Sequence, residues 1–328
     1  MAEIYDITII GGGPAGMFAG FYSGLRTAKV QIIESLSQLG GQVSALYPEK
    51  YIHDVAGFAG IKAVELISQL DKQLRQLPVD VRLNETVTDL IQQDENGYKI
   101  VTNKETYLSK AVILATGVGA FSPRRLAVSG AQELENRRIF YTVAHPEQFR
   151  DKTVLIAGGG DSAIDTALML QETAKHVYLM HRRTQFRGME HSVELLQNSA
   201  VELLTPYLLK EITLDNDQLL LTMKEVKGEH LLQKRVDDVI VNYGFISNNK
   251  TIRQWQVQPS QEHRMFVVDR QMKTDLPLLY AIGDGVDYEG KLDLIATAFA
   301  EGPMAVSAIM KQLYPDRRGP LHSTSMDL

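Results

Sequence analysis

Two glycine-rich segments of the sequence could each bind the phosphates of a dinucleotide. GGGPAG fits the GxGxxG pattern, and GGGDSA fits its GxGxxA variant. The pattern positions are Gly11, Gly13 and Gly16 in the first segment and Gly158, Gly160 and Ala163 in the second. The first position allows a tight turn, the second lets the backbone approach a pyrophosphate, and the third lets the following helix pack closely on the strand. The start of that helix adds N–H donors and partial positive charge.

The residues that end the second strand differ between the two segments. Glu34 ends KVQIIE, 18 residues after the last glycine of its turn, where a carboxylate can accept hydrogen bonds from adenosine ribose hydroxyls. The second segment has His181-Arg182-Arg183 at this place, with Arg187 close by. Guanidinium groups bind phosphate through paired charge-assisted hydrogen bonds, so the pattern favours NADP(H), whose ribose carries a 2′-phosphate. The alternatives are a ligand-free turn beside a surface glutamate and a solvated face of arginines.

The elements around the two segments repeat. Each segment follows a short apolar run, IYDITII or KTVLIA, and precedes a helical pattern and a second apolar run, which is the opening of a Rossmann unit. Alternating segments further along each half predict a β-meander that returns to the parallel sheet. A third apolar run, LPLLYAIGDGVD, precedes the long helical pattern DLIATAFAEGPMAVSAIMKQL. The sequence therefore predicts an α/β fold with two Rossmann-like domains, each carrying a β-meander.

Composition limits the functions that are open to the chain. Its 328 residues are 44% hydrophobic and 23% charged, which is ordinary for a folded globular protein and unlike a disordered chain or a coiled coil. No apolar stretch is long enough to predict a membrane span, and the N-terminus lacks the basic start and cleavage site of a signal peptide. The net charge of -6 argues against a nucleic-acid partner.

The sequence contains no cysteine. This excludes disulfides, thiolate metal ligands, cysteine nucleophiles and redox chemistry by a dithiol of this chain. We expect no bound metal. The composition is compatible with the cytoplasm, which is the expected location.

Several short motifs resemble those of known flavoproteins. The two glycine-rich segments, the ATG at 115–117 and the GD at 283–284 resemble the two-dinucleotide-binding-domain flavoproteins. GGGPAG, GGQ, AGGGDSA and HRR resemble their thioredoxin-reductase-like branch, but the redox CxxC of that branch is absent, since the corresponding region reads FYTVAHPEQF. LYPEKYIHDVAGF and the C-terminal LHSTSMDL are similar to the type 2 ferredoxin/flavodoxin–NADP+ reductases. The resemblance covers nearly the whole chain.

This resemblance implies a FAD-binding domain at 1–117 and 245–328, with an NADP(H)-binding domain at 118–244 inserted into it. The implied FAD-binding residues are Gly11, Gly13, Ala15, Gly16, Glu34, Gly41, Gln42, Tyr47, Val87, Phe121, Asp284, Ala298 and Ser325. The implied NADP-binding residues are Gly158, Gly160, Asp161, Ser162, Ala163, His181, Arg182, Arg183 and Arg187. In this family the C-terminal tail comes from the partner subunit, so the resemblance also implies a homodimer.

The resemblance assigns individual roles within the FAD set. Tyr47 would stack on one face of the flavin, and His322 in the tail would cover the other. Val87 would contact adenine through its backbone, Asp284 would bind the ribitol, and Ala298 would lie near a helix start that faces the flavin pyrimidine.

The implied activity is FAD-dependent electron transfer between NADPH and ferredoxin or flavodoxin, with hydride passing to flavin N5 and single electrons then passing to the carrier. The nearest alternative is an NADPH-dependent flavin reductase of a small acceptor such as a quinone, and a more distant one is a binding or sensor protein. An acidic carrier would dock on a basic rim. The candidates for that rim are Lys50, Arg124, Arg125, Arg317 and Arg318.

Overall fold

The structure is a computed structural model that describes residues 4–46, 48–93, 97–248, 251–317 and 319, without the side chains of residues 120, 121, 247 and 248. The chain forms two compact units. The first unit consists of Met1–Phe121 and Ser247–Leu328, and the second, Ser122–Ile246, is inserted between them.

The chain combines strand–helix–strand segments with runs of consecutive strands. The first part holds strands β1 (Ile4–Ile10), β2 (Val30–Ile33), β3 (Tyr51–Ile52), β4 (Ile61–Lys62), β5 (Val79–Arg82), β6 (Val87–Gln92), β7 (Tyr98–Thr102), β8 (Thr106–Leu114) and β9 (Ala120–Pro123), with helices α1 (Pro14–Leu25), α2 (Gly41–Leu46) and α3 (Ala63–Leu74). The middle part holds β10 (Ile139–Phe140), β11 (Thr153–Gly158), β12 (His176–Met180), β13 (Glu202–Leu204), β14 (Tyr207–Asp215), β15 (Gln218–Glu225), β16 (Leu231–Val236), β17 (Asp238–Asn242) and β18 (Phe245–Asn248), with α4 (Asp161–Leu170) and α5 (Glu190–Gln197). The last part holds β19 (Gln261–Glu262), β20 (Met265–Val267), β21 (Leu279–Ala281), β22 (Val286–Asp287) and α6 (Ile295–Leu313).

The first unit is built on a sheet with the strand order β5-β2-β1-β8-β7-β6. β1 is parallel to both β2 and β8. The start of β8 pairs antiparallel with β7, and its end pairs parallel with β21. The meander β6–β7–β8 thereby returns the chain to the parallel sheet, as the sequence predicts. β1 is buried except at Ile4, which fits a parallel strand covered on both faces.

In the second unit the parallel strands and the antiparallel strands form two separate sheets. Its parallel sheet has the order β10-β17-β11-β12-β13, and its meander forms an antiparallel sheet of β14, β15 and β16. β17 then returns beside β11, with Ile240 opposite Ile156. In each unit the glycine-rich turn follows the first central strand, so it lies at the carboxyl edge of a parallel sheet, where ligands of such folds bind.

Two predicted segments end differently in the structure. The strand predicted to run through Arg183 ends at Met180, although the His181 N–H still donates to Leu204 O at 3.1 Å. One of the alternating segments of the second half, residues 201–214, is divided into β13 and β14 around Pro206, because proline has no N–H to continue a ladder. The arginines therefore lie in a loop beyond the strand.

Candidate functional site

The first glycine-rich turn is held by close backbone contacts. Gly11 has a φ of +111°, and a Cβ there would lie 2.2 Å from Ala115 O. A Cβ on Gly16 would lie 2.0 Å from Gly11 O, so α1 starts directly against the turn. Gly13, by contrast, has no atom within 4 Å of its Cβ position, and no side chain caps α1. The helix start therefore presents open space and uncapped N–H donors, which fits a pyrophosphate.

Glu34 lies beneath this turn with only 6% of its surface exposed. Its Oε2 accepts the Gly12 N–H at 2.7 Å, and its Oε1 accepts the Leu36 N–H at 2.8 Å and the Ser35 hydroxyl at 3.1 Å. The carboxylate thus orders the turn and the loop after β2 together. It keeps about one free lone pair, since a carboxylate can accept about four hydrogen bonds and three are already made.

Other predicted residues meet the turn at the same edge of the first unit. A Cβ built on Gly41 would lie 3.2 Å from Gly13 Cα, and one on Gly283 would lie 3.2 Å from Ala15 Cβ. Gln42 places its Nε2 3.8 Å from the Cβ position of the glycine that ends the ATG. Residues from four separate stretches of the chain therefore converge at one edge, which the local sequence patterns alone did not require.

Asp284 follows Gly283 at the end of β21 and has an exposed side chain. Desolvation by the surrounding protein raises the pKa of its carboxyl above the ordinary value; Asp293 also raises it, and Lys291 opposes the shift. Ala298 is buried, and its N–H already donates to Leu294 O at 3.1 Å. The free N–H donors of α6 are therefore those of its first turn, before Ala298.

The second glycine-rich turn repeats this geometry in the second unit. A Cβ on Gly158 would lie 2.6 Å from Asn242 O and 2.8 Å from Ala163 Cβ, whereas Gly160 has no atom within 4 Å of its Cβ position. No side chain caps α4, which starts at Asp161; one carboxylate oxygen of Asp161 accepts the Met189 N–H at 2.9 Å. Ser162 follows in the first turn of this helix. The arrangement fits a second dinucleotide.

His181 takes the place under the second turn that Glu34 takes under the first. It is only 6% exposed, and a Cβ on Gly159 would lie 2.2 Å from its Nδ1. Its ring stacks on Phe186 with 5.5 Å between centroids, and its Nε2 has no hydrogen-bond partner in the described part of the chain. Burial lowers the pKa of His181, and the nearby arginines, Arg187 foremost, lower it further. The imidazole is therefore neutral in the folded chain at neutral pH.

The three predicted arginines surround this turn. Arg182, Arg183 and Arg187 all have exposed side chains. The Arg187 N–H donates to Gly159 O at 2.7 Å, which fixes the end of the arginine loop beside the turn. Within the described ranges, no carboxylate forms an ion pair with any of the three. They form a positive surface suited to a phosphate dianion.

Some predicted residues cannot be placed. Tyr47, His322 and Ser325 lie outside the described residues, as does the side chain of Phe121. Val87 is described: it opens β6 and is 5% exposed.

The candidates for a basic rim differ in how much charge they present. Arg125 forms an ion pair with Glu135, and the Arg317 guanidinium lies 3.9 Å from the centroid of the Tyr314 ring. Arg124 is exposed, and Arg318 lies outside the described residues. Arg125 therefore offers less free charge than its sequence position indicates.

Sequence reasoning missed a buried carboxylate near Asp284. Glu301 is 1% exposed and binds Gly283, Tyr288 and Lys291. The available signal was a single acidic residue in the otherwise apolar FAEGPMA.

A cavity of about 700 Å³ lies elsewhere on the first unit. It is lined by residues such as Phe18, Val55, Phe58, Leu66, Leu70 and Phe299. None of the predicted site residues lines it, so its size does not mark the dinucleotide site.

Known proteins resemble this chain over nearly its full length. The model of the family described as pyridine nucleotide-disulphide oxidoreductase matches residues 5–302. The chain is 56% identical to a ferredoxin–NADP reductase of Pediococcus pentosaceus, with 99% of each chain covered. It is 57% identical to a ferredoxin–NADP reductase of Lactiplantibacillus plantarum, again with 99% of each covered.

Solved structures agree with the fold. A thioredoxin reductase of Lactococcus lactis superposes with a TM-score of 0.81 at 27% identity, covering 94% of this chain and 98% of that one. This likeness confirms the predicted class of two Rossmann-like domains, one inserted into the other. Among the described helices, none is both long enough and apolar enough to cross a membrane. The chain belongs to the pyridine nucleotide-disulphide oxidoreductase family and, within it, groups with the ferredoxin–NADP reductases.

Proposed function

We propose that the chain is an FAD-dependent ferredoxin–NADP reductase that transfers electrons between NADPH and ferredoxin or flavodoxin. Relatives that share 56% and 57% of its residues over 99% of its length carry the name ferredoxin–NADP reductase. The observation that carries the proposal is the pair of open glycine-rich turns, at Gly13 and Gly160, in a chain without cysteine. With no dithiol available, electrons must pass through bound cofactors.

The two nucleotides are assigned to different units. FAD is assigned to the domain at 1–117 and 245–328, and NADP(H) to the domain at 118–244; the compact units change over a few residues later, at 121/122 and 246/247. When bound, FAD supplies the conversion between a two-electron hydride donor and one-electron carriers. The chain itself binds and orients both nucleotides, and no side chain needs to act as an acid or base.

The residues of the first unit divide the binding of FAD among them. The uncapped start of α1 donates N–H groups to the pyrophosphate beside Gly13. Glu34 accepts from a ribose hydroxyl with its remaining lone pair, and Asp284 accepts from the ribityl chain. The ring faces of the flavin are assigned to Tyr47 and, in the tail, His322, because of the resemblance given above.

The residues of the second unit select the nucleotide. The arginines at 182, 183 and 187 bind the 2′-phosphate of NADPH by charge-assisted hydrogen bonds. His181 is assigned a packing role rather than a phosphate contact, because its ring is buried beneath Gly159. Through this packing, the His181 ring positions the backbone of the turn that binds the pyrophosphate.

Flavodoxin as a second carrier, a homodimer and a cytoplasmic location are parts of the same proposal. The homodimer follows from the resemblance of the C-terminal LHSTSMDL to tails that come from a partner subunit. The cytoplasm follows from the choice of NADPH and from the absence of cysteine. A carrier of acidic surface would bind by charge, with Arg124, Lys50 and Arg317 as the docking candidates.

The proposal is tested by comparing donors and acceptors in steady state. We expect turnover with NADPH and ferredoxin, a much lower kcat/KM with NADH, and a rate with ferredoxin that falls as salt is added. Faster turnover with a quinone than with ferredoxin or flavodoxin, at matched concentrations, would assign the chain to the small-acceptor reductases instead.

A further inference from the structure

A single buried carboxylate ties three parts of the first unit together. Glu301 lies in the second turn of α6 and is 1% exposed. Its Oε2 accepts the Gly283 N–H at 2.6 Å. Its Oε1 accepts the Tyr288 hydroxyl at 2.8 Å and the Lys291 ammonium group. The turn after β21, the loop that follows it and the helix α6 therefore share one acceptor.

The lysine of this cluster is also buried. The Lys291 side chain is 6% exposed, and its ammonium group lies 5.7 Å from the centroid of the Tyr288 ring. A buried ion pair of this kind seldom adds much stability compared with apolar residues of the same volume. Stability alone therefore gives a weak reason for a buried lysine and glutamate at this place.

The cluster acts on the turn that carries Asp284. Gly283 has a φ of +79°, and its Cβ position lies 3.2 Å from Ala15 at the start of α1. The hydrogen bond from the Gly283 N–H to Glu301 is buried, so it holds the Ile282–Gly283 peptide, one residue before Asp284. Lys291 and Glu301 both act electrostatically on the Asp284 carboxyl. The cluster thus determines where this carboxyl lies and which charges surround it.

We propose that Glu301 is a positioning residue of the FAD site, which holds the Gly283–Asp284 turn against the first helix through the Gly283 N–H. This inference rests on the assignment of FAD to the first unit. Glu301 need not touch the cofactor; it acts through Asp284 and the turn. Removing the acceptor for Gly283 should weaken FAD binding without a matching loss of folding stability.

The chain offers a matched control at the opposite edge of the same sheet. Asp6, near the start of β1, is also a buried carboxylate bound to a lysine, a tyrosine and a backbone N–H: Lys110 at 2.7 Å, Tyr314 at 2.5 Å and Lys29 N at 2.9 Å. The glycine-rich turn follows the other end of β1. Changes to this cluster test general stability and leave the proposed site alone.

The experiment measures FAD release from full-length holoenzyme on dilution, by recovery of flavin fluorescence, with thermal unfolding followed by circular dichroism. In K291M/E301L both charges and the acceptor for Gly283 are absent, and we expect a dissociation constant for FAD at least about tenfold higher, with an unfolding temperature lowered no more than by the matched change at Asp6 and Lys110. In K291M/E301Q the amide oxygen again accepts from Gly283, and the constant should return to within about twofold of the unsubstituted chain. The control D6L/K110M should bind FAD as the unsubstituted chain does.

Two results would overturn the inference: unchanged FAD binding by K291M/E301L, or equally weak binding by the leucine and glutamine variants.

If K291M/E301L does not fold, E301D answers the same question, because aspartate keeps the charge beside Lys291 but is one methylene too short to reach Gly283. It should also release FAD about tenfold more readily, and unchanged binding by E301D would overturn the inference. Failure of the unsubstituted chain to bind FAD would refute the proposed function itself, which is a different outcome.

Discussion

The first glycine-rich turn has a carboxylate beneath it, and the second has an imidazole and a loop of arginines. Glu34 accepts the Gly12 N–H at 2.7 Å. His181 instead packs its ring under Gly159, and a Cβ built on Gly159 would lie only 2.2 Å from Nδ1 of that ring. Both turns leave open space at the second glycine of the pattern, although only the first turn begins with a glycine of positive φ. Under the proposed function, the open turn binds a dinucleotide, and the charged residues after the second strand select which dinucleotide binds.

The arginine loop should produce the largest effect. In R182Q/R183Q/R187Q the 2′-phosphate loses its charged partners, so kcat/KM for NADPH should fall by about a hundredfold to a thousandfold, while kcat/KM for NADH changes by less than about threefold. Steady-state kinetics with both donors measure this. R150Q/R235Q is the control in the same unit, because these arginines pair with Glu147 and Asp215. An equal loss of kcat/KM for NADPH and NADH would show that the arginines do not bind the 2′-phosphate.

Alanine substitutions at Gly13 and Gly160 test whether each turn binds a different nucleotide. Gly13 and Gly160 have φ values of -71° and -104° and empty Cβ positions, so alanine fits both without strain. The methyl group would instead occupy the approach to a pyrophosphate. We expect G13A to weaken FAD binding and G160A to raise the KM for NADPH, each about tenfold or more, with little change in unfolding temperature. If each variant affected both nucleotides equally, the assignment of one nucleotide per unit would be wrong.

A smaller effect is expected at Glu34. In E34Q the amide nitrogen replaces one acceptor oxygen, so either the Gly12 N–H or the pair of donors at Leu36 and Ser35 loses its partner. The dissociation constant for FAD should rise about fivefold to twentyfold, and the KM for NADPH should stay the same. Fluorescence titration of the released flavin measures the first quantity. A change confined to NADPH would reverse the assignment of the two turns.

The smallest effect concerns His181 and pH. Its pKa in the folded chain is lowered from 6.5, first by burial, so between the lowered value and 6.5 the unfolded chain binds more protons. The stability that the neutral ring contributes is complete above about pH 6.5 and is lost as the pH falls through this window. The unfolding temperature should therefore drop between pH 7.5 and 5.5, and it should drop less in H181F than in the unsubstituted chain. Identical pH profiles for both chains would contradict the neutral, buried imidazole.

Local patterns predicted the parts of the site that depend on backbone conformation. Gly11, Gly13 and Gly16 could be recognised because their spacing follows from one strand, one turn and one helix. The strand, turn, helix and second strand that open each half followed from the same repeating elements. The end of β12 at Met180 was not predicted, and the hydrogen bond of the following loop from Arg187 N–H to Gly159 O joins distant residues that a local pattern does not relate.

Side chains that act through distant partners could not be predicted. Glu301 reads as a surface residue of a helix, and only its contacts with Gly283 and Lys291 reveal a buried cluster. Arg125 reads as a free charge until Glu135, ten residues away, pairs with it. Both depend on tertiary packing, which a local pattern does not contain.

Rapid mixing of the yellow holoenzyme with NADPH under anaerobic conditions, followed by a second mixing with oxidised ferredoxin, tests the central claim most directly. We expect the visible absorption of the bound flavin to disappear within the turnover time and to return when ferredoxin is added. A flavin that NADPH leaves oxidised, or that ferredoxin cannot reoxidise, would contradict the account.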